Sequence, residues 1–237
     1  MPDNFKQGLN NIIEKNVKIG NNVSLGHNVI IYKNTRIADN VIVLDNCILG
    51  KTTVFGSQSV KKPEPLKSLV VGENTVIGSG SILYAGSNIG KNVYIADMVN
   101  IRENCLIGEN STLGKLVSIE FDVKIGEKSR VMDCSQITEH TEIGSKVFIG
   151  PDVSTCVSNS FARTKDASGK RVVVNKKVVI KDGAIIGANA SIALGVVVEQ
   201  NAFVGIGSVV VNNVPEGKVV FGNPAKVLWK VNKGLLL

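Results

Sequence analysis

Aliphatic residues return at every sixth position along most of this chain. The series runs Ile13, Ile19, Leu25, Ile31, Ile37, Val43 and Leu49, resumes as Val71, Ile77, Leu83 and Ile89, and continues without a miss to Ile149. After a second gap it returns as Ile180, Ile186, Ile192, Val198, Val204 and Val210. Between Val71 and Ile149 fourteen consecutive beats are aliphatic, which a set of ordinary alternating strands does not produce. A short fixed period of this kind predicts a solenoid built from repeated turns of strand.

The residues between the beats refine that prediction. Glycine often follows the aliphatic residue, as at Gly20, Gly26, Gly72, Gly90, Gly108, Gly126 and Gly144. Four places after the aliphatic residue comes a small or β-branched one, such as Val17, Val23, Thr35, Val93, Cys105 or Ser111. Each hexapeptide then makes one short strand and one corner, and three make a triangular coil of about 18 residues, stacked about 4.8 Å from the next. The aliphatic residue is expected to fill each corner from inside, the small residue the narrow interior beside it. Glycine is expected to ease the tight corner backbone.

Two segments break the beat. Residues 56–69 contain Pro63, Pro65 and three lysines and read as a loop. Residues 158–172 are polar, lack the repeat, and have to project sideways. Insertions of that length in compact domains are often functional. The expected organisation is a single domain over 1–237, with solenoid portions at 13–55, 71–157 and 174–213 and loops at 56–69 and 158–172. Prolines at 215 and 224 cannot continue a regular coil, so 214–237 is expected to form a short irregular C-terminal cap, with Trp229 and the aliphatic tail over the open end of the core.

Composition changes the picture in three respects. The first twenty residues carry Asp3, Lys6, Glu14 and Lys15 without a long apolar run, and no stretch approaches a membrane span, so a cytoplasmic protein is expected. The four cysteines show no metal or redox spacing; Cys47 and Cys105 fall on the small inward position, Cys134 and Cys156 near corners. The net charge of +7 lies entirely in residues 161–237, where eleven basic residues face four acidic ones. Few aromatics interleave with these lysines, which argues against a base-stacking nucleic-acid surface. A phosphorylated small ligand or a merely solvated face both fit.

The stretch from Ile180 to Lys226, ending in FGNPAKVL, closely resembles the C-terminal coils of hexapeptide-repeat acyltransferases that use acyl-CoA. The resemblance covers nearly the whole chain, with the GNPAK pattern at Gly222 to Lys226 as its most specific marker. It implies an all-β fold, the left-handed parallel β-helix, a triangular solenoid of hexapeptide repeats. The left hand comes from the resemblance alone, since it runs against the usual crossover preference. Leu83 to Asn104 and Ile137 to Thr164 further resemble N-acyltransferases of nucleotide-linked amino sugars. Many of these carry histidine where this chain has Asp97, and Asp97 there resembles the anthrose-pathway branch, whose substrate is a dTDP-4-amino-4,6-dideoxyglucose. The resemblance further implies a homotrimer with sites between subunits and coenzyme A along the groove between prisms. Its contacts would be Gly187, Ala188, Gly205, Ser208 and Lys226, where the basic third of the chain lies. The projecting loop, Asn159 included, would close a neighbouring site.

An 18-residue coil stacks each position over the one 18 later. Tyr84, Arg102, Glu120, Thr138 and Cys156 form one column and Ser79, Asp97, Lys115, Asp133 and Pro151 another. Arg102 and Glu120 are either a surface ion pair or, with Tyr84, the wall of a substrate cleft, where the guanidinium suits a diphosphate. His27 reads as a solvated corner. His140 lies beneath the start of the second loop. The expected chemistry is attack of an amine on the acyl-CoA thioester, with Asp97 accepting the proton and His140 in reserve. No metal is called for. Acyl transfer to a sugar hydroxyl is the alternative and would need His140 as a true base. A purely structural β-helix is a third reading. A γ-type carbonic anhydrase needs three zinc-binding histidines, and the chain has two.

Overall fold

The computed structural model describes residues 4–57, 64–156 and 176–230. Every regular element in it is a β-strand, most of them two residues long. Successive strands visit three sheets in rotation, with 12, 10 and 9 strands, here called faces 1, 2 and 3. Neighbours within a face pair in parallel, as in Val76↔Tyr94 and Ile77↔Ile95, and the pairing partner is normally 18 residues away. This is the stacked β-helix that the six-residue beat predicts.

The beat maps onto the interior as expected. Ile31, Leu49, Ile77, Leu83, Ile95, Ile101, Leu113, Ile119, Ile137 and Ile149 are fully buried. The small positions beside them, including Val23, Val29, Thr35, Cys105, Ser111 and Val117, are buried as well. Polar members of that row stay inside because they find hydrogen-bond partners there, most often a carbonyl. The hydroxyls of Ser81, Ser87 and Ser129 donate to the carbonyls of Ala96, Arg102 and Gly144, at 3.0, 2.7 and 2.8 Å. Among the aliphatic beats Ile13 departs most from this burial, at 39% exposed, with the next beat, Ile19, only partly buried. It lies in the first coil, which has no coil beneath it.

The corner glycines do a different job from the expected one. The left-handed backbone at the corners is commonly supplied by asparagine, two residues further on: Asn22, Asn28, Asn40, Asn74, Asn92 and Asn110 all have φ between 54° and 59°. Asparagine tolerates that region better than other side chains, and here it adds a ladder. The amides of Asn4, Asn22, Asn40, Asn74, Asn92 and Asn110 pass one hydrogen bond upward per coil, each 3.1–3.2 Å. Gly72, Gly90, Gly108, Gly126 and Gly144 do not adopt positive φ. They are glycine because the next coil leaves no room: a Cβ on Gly126 would lie 2.5 Å from the carbonyl carbon of Gly144.

Regular strands begin earlier than the periodicity suggests, at Lys6–Gln7. Both insertions leave the edge between faces 2 and 3. The first departs after Ile48–Lys51 and the chain rejoins at Val70–Val71. The second departs after Ser154–Thr155 and rejoins at Val179–Ile180. The C-terminal segment is more regular than an irregular cap. Lys218–Gly222 adds one more parallel strand to face 1, and Ala225–Lys230 folds back on it antiparallel. Val214, Val219 and Val220 close that end of the core. The Trp229 side chain and residues 231–237 lie outside the described residues.

Candidate functional site

The predicted residues sort onto two edges of the prism, the two that bound face 2. Asp97, Gly187, Ala188 and Gly205 all lie where face 1 turns into face 2. Tyr84, Arg102, Glu120 and His140 lie where face 2 turns into face 3. Asn159 lies outside the described residues.

On the first edge the corner N–H groups point along the axis toward the next coil. An aspartate there can cap the one below it. Oδ1 of Asp97 accepts the N–H of Ser79 at 2.8 Å, and Asp45 and Asp133 accept from His27 and Lys115 at 2.7 and 3.0 Å. His27 does the same through Nδ1, which accepts the N–H of Leu9 at 2.9 Å, so its place is structural. The cap fixes the Asp97 carboxylate by one oxygen. The residue is exposed, and Oδ2 makes no hydrogen bond within the described residues.

Beyond Asp97 this edge is nearly bare at the position after the aliphatic beat. Gly114, Gly150, Gly187 and Gly205 stand at its corners, with Met132 the interruption, because the neighbouring coil, or the Phe221 ring at Gly205, fills the space a Cβ would need. The N–H groups of Ala188 and Ile206 have no partner among the described residues. Asp97 and Ala188 are four coils apart, on the order of 19 Å at the usual strand spacing, comparable with the reach of an extended pantetheine arm. Lys226 is exposed and pairs in the hairpin with Phe221, whose ring lies against Gly205. Ser208 departs from expectation. It is fully buried, and its hydroxyl accepts the N–H of Gly222 at 3.2 Å, so it belongs to the core rather than to a ligand surface.

The second edge is the side-chain-rich one. Where the other two edges mostly carry glycine, this one carries Tyr32, Tyr84, Arg102, Glu120, Thr138 and Cys156. The Arg102–Glu120 pair expected from the stacking is present, Nη1 donating to Oε2 at 3.1 Å. The structure adds Glu103, which the column reading missed. Nε and Nη2 of Arg102 donate to its two oxygens at 2.9 and 3.0 Å. With its donors so engaged, Arg102 is not the free fork expected for a diphosphate. Burial alone would raise the pKa of Glu103, but hydrogen bonds from Arg102, its own backbone and Thr53, with the Arg102 charge, hold it below the usual carboxylate range. The guanidinium carbon lies 5.8 Å from the Tyr84 ring centre and 5.6 Å from that of Phe121.

One coil further along, the imidazole of His140 meets the Phe121 ring edge-on at 5.2 Å. Its Nδ1 is 3.5 Å from Oδ2 of Asp122, the residue 18 earlier in the same stacking column. His140 itself holds a left-handed backbone, φ 61°. Between the two edges face 2 presents Asn100, Ser118, Gln136 and Ser154 outward, a polar strip. Oδ1 of Asn100 is shielded from solvent without a hydrogen-bond partner. A groove of about 490 Å³ lies elsewhere, on face 3, lined by Leu106, Lys124, Glu142 and Lys181, and it contains none of the predicted residues. No group of three or more potential metal ligands occurs among the described residues.

Comparisons with known proteins agree with this architecture. Residues 8–106 match a family described as the GMPPB C-terminal domain, and residues 177–212 match the hexapeptide repeat of succinyl-transferase. Each match covers less than half of the chain. No curated protein matches the sequence. Among solved structures, a UDP-N-acetylglucosamine acyltransferase from Campylobacter jejuni superposes with a TM-score of 0.67 at 14% identity, covering 97% of this chain and 80% of that one. The UDP-N-acetylglucosamine acyltransferase of Francisella novicida gives 0.56 at 16% identity, over 97% and 72%. A point mutant of AntD, an N-acyltransferase from Bacillus cereus in complex with dTDP-4-amino-4,6-dideoxyglucose and coenzyme A, gives 0.39 at 16%, over 97% and 86%. At these identities the first two establish the fold, and the third carries no argument. No described helix is long and apolar enough to cross a membrane.

Proposed function

We propose that this protein is a cytoplasmic acyl-CoA-dependent N-acyltransferase acting on an amino-deoxy sugar linked to a nucleotide, dTDP in the first instance. One observation carries the reading. An exposed carboxylate, oriented through one oxygen, stands on the same edge as the coils of the basic C-terminal third. The N–H of Ala188, unpaired among the described residues, lies on the order of 19 Å further along it, with Ile206 and Lys226 beyond. Acyl-CoA fits that edge lengthwise, with its phosphates toward Lys226 and the basic C-terminal third and its pantetheine arm along Gly187, Ala188 and Gly205. The thioester then reaches Asp97. The succinyl-transferase repeat over residues 177–212 is in keeping with this.

The chemistry asked of the protein is modest. The neutral amine attacks the thioester carbonyl, the C–S bond breaks as coenzyme A leaves as a thiolate, and Oδ2 of Asp97 takes the proton shed by nitrogen. Positioning and one proton acceptor suffice. The acceptor would lie over the polar strip of face 2, where the unpaired Oδ1 of Asn100 offers a site for a sugar hydroxyl or amide. A homotrimer reconciles the two edges. Because both bound face 2, a threefold arrangement with face 2 toward the axis brings the Asp97 edge of one subunit against the His140 edge of the next. Tyr84, Arg102, Glu120, His140 and Asn159 would then complete the neighbour's site.

Acyl transfer to a hydroxyl is a second reading, favoured by the His140–Asp122 pair, which orients an imidazole as a base for an alcohol. The test is thiol release from acetyl-CoA with a panel of dTDP- and UDP-amino sugars, followed by mild alkali on the product. An alkali-stable amide, with Asp97→Asn down by about 10²–10⁴-fold and His140→Ala near the parent, supports N-acylation. An alkali-labile ester with His140→Ala inactive supports the second reading. No thiol release with any acceptor, and no thermal shift with coenzyme A, defeats both.

A further inference from the structure

A partly buried polar relay runs along the second edge, and its anchor, Thr53 with Glu103, has no part in either reading of the chemistry. It begins at Thr53, just beyond the point where the first insertion leaves face 2. The Thr53 hydroxyl donates to Oε2 of Glu103 at 2.9 Å, although the two are 50 residues apart. Glu103 is 3% exposed, the most deeply buried charged side chain at either edge. It grips Arg102 through two parallel hydrogen bonds, and Arg102 reaches Glu120 on the next coil with its remaining side. Held this way, the guanidinium lies between the rings of Tyr84 and Phe121. Phe121 packs against His140.

We propose that Glu103 is a positioning residue for the acceptor wall. Its carboxylate fastens the stem of the first insertion to the second edge and, through Arg102 and Phe121, sets the His140 imidazole. The physical ground is the fork geometry. A guanidinium bound by one carboxylate on two nitrogens can neither rotate nor slide, whereas a single hydrogen bond leaves it free to swing. A buried carboxylate with all its bonds made is also costly to leave half-paired. So the wall is rigid only while Glu103 is present. The acyl-CoA edge, on the far side of face 2, does not share these contacts. This inference rests on assigning the second edge to the acceptor.

The two histidines make the test direct. His27 lies on the first edge and His140 at the end of the relay, so ring resonances of the whole protein contain one probe and one internal control. In Glu103→Gln the His140 resonances are expected to shift while those of His27 stay in place. The Km for the amino sugar should rise about tenfold or more with the Km for acyl-CoA unchanged, as expected for loss of one charged hydrogen-bond set. Thr53→Val should move the same resonances less, and Thr53→Ser should restore them. Unchanged His140 resonances in a folded Glu103→Gln protein overturn the proposal. If that variant does not fold, unchanged resonances in Thr53→Val overturn it equally. A protein without any acyltransferase activity would sink the proposed function, and the resonances would still decide the relay.

Discussion

Gly126→Ala tests the packing logic of the coil because two effects pull in opposite directions there. Gly126 does not sit at positive φ, so alanine is conformationally allowed, and stiffening the unfolded chain should stabilise the protein by about 0.4–1 kcal/mol. Against this, the new Cβ would lie 2.5 Å from the carbonyl carbon of Gly144 and 2.6 Å from the nitrogen of Ser145. Both are backbone atoms of the next coil, tied into the parallel ladders, and cannot turn aside as a side chain could. Overpacking of this kind costs about 1–3 kcal/mol, and a backbone obstacle places it at the upper end. Net of the gain from chain stiffening about 2 kcal/mol remains, which for a chain of this size corresponds to a fall in Tm of about 4–8 °C. The control is two residues away. Lys128 is exposed with φ 56°, so Lys128→Gly trades a left-handed strain of about 1–2 kcal/mol for the chain-entropy cost of glycine, about 0.5–1 kcal/mol. Its Tm should hold or rise by a few degrees. Thermal melts followed by far-ultraviolet circular dichroism read both. If Gly126→Ala melts at or above the parent, glycine is not there for space, and the account of the corners is wrong.

Burial pushes the thiols of Cys47 and Cys105 up to about 11 and about 12, while Cys134 is exposed and Cys156 half-buried. Brief iodoacetamide treatment of the native protein should therefore modify only the latter two by intact mass; adducts on Cys105 would contradict its place in the core. Glu103 has a folded pKa below its unfolded value of about 4.3, so the stability it contributes is complete above that pH and is lost as pH falls through the lower folded value. The Tm gap between the parent and Glu103→Gln should thus be constant near neutrality and narrow in acid, and a gap that widens in acid would reverse the sign of the argument. His140→Asn should leave Tm unchanged or raise it, because asparagine suits the left-handed corner better; a large fall would show that the ring is chiefly structural.

The interior was legible because it obeys one rule. A beat of aliphatic residues at fixed spacing leaves no choice about which side chains face inward, and Ile77, Ile101 and Ile149 are buried where the period puts them. The stacking rule placed Arg102 beside Glu120 and His140 in one column with Asp122, since both pairs are 18 apart. The corner chemistry was misread because glycine has two uses. It can take positive φ or it can make room, and only the asparagines two residues on, repeated from Asn10 to Asn46, could have shown that the first use was already filled. The Thr53–Glu103 bond was not legible at all. It crosses an insertion, where no period relates the partners.

A signal for the second edge was nonetheless present in the letters, one level above the hexapeptide. Read every 18 residues instead of every six, the position after the aliphatic beat separates into three series. Two of them are dominated by glycine, for example Gly72, Gly90, Gly108, Gly126 and Gly144. The third runs Tyr84, Arg102, Glu120, Thr138, Cys156 and has lost it. Glycine is demanded wherever coils stack corner on corner, so an edge can abandon it only if its side chains turn aside from the neighbouring corner. An edge that does so in five successive coils, bracketed by the two insertions, has given up the tightest packing the fold offers along one line. Every coil bears that concession, and what a solenoid's surface gains from it is a set of side chains held at fixed intervals facing a ligand or a partner. The departure from the repeat marks the edge whose side chains the packing no longer dictates.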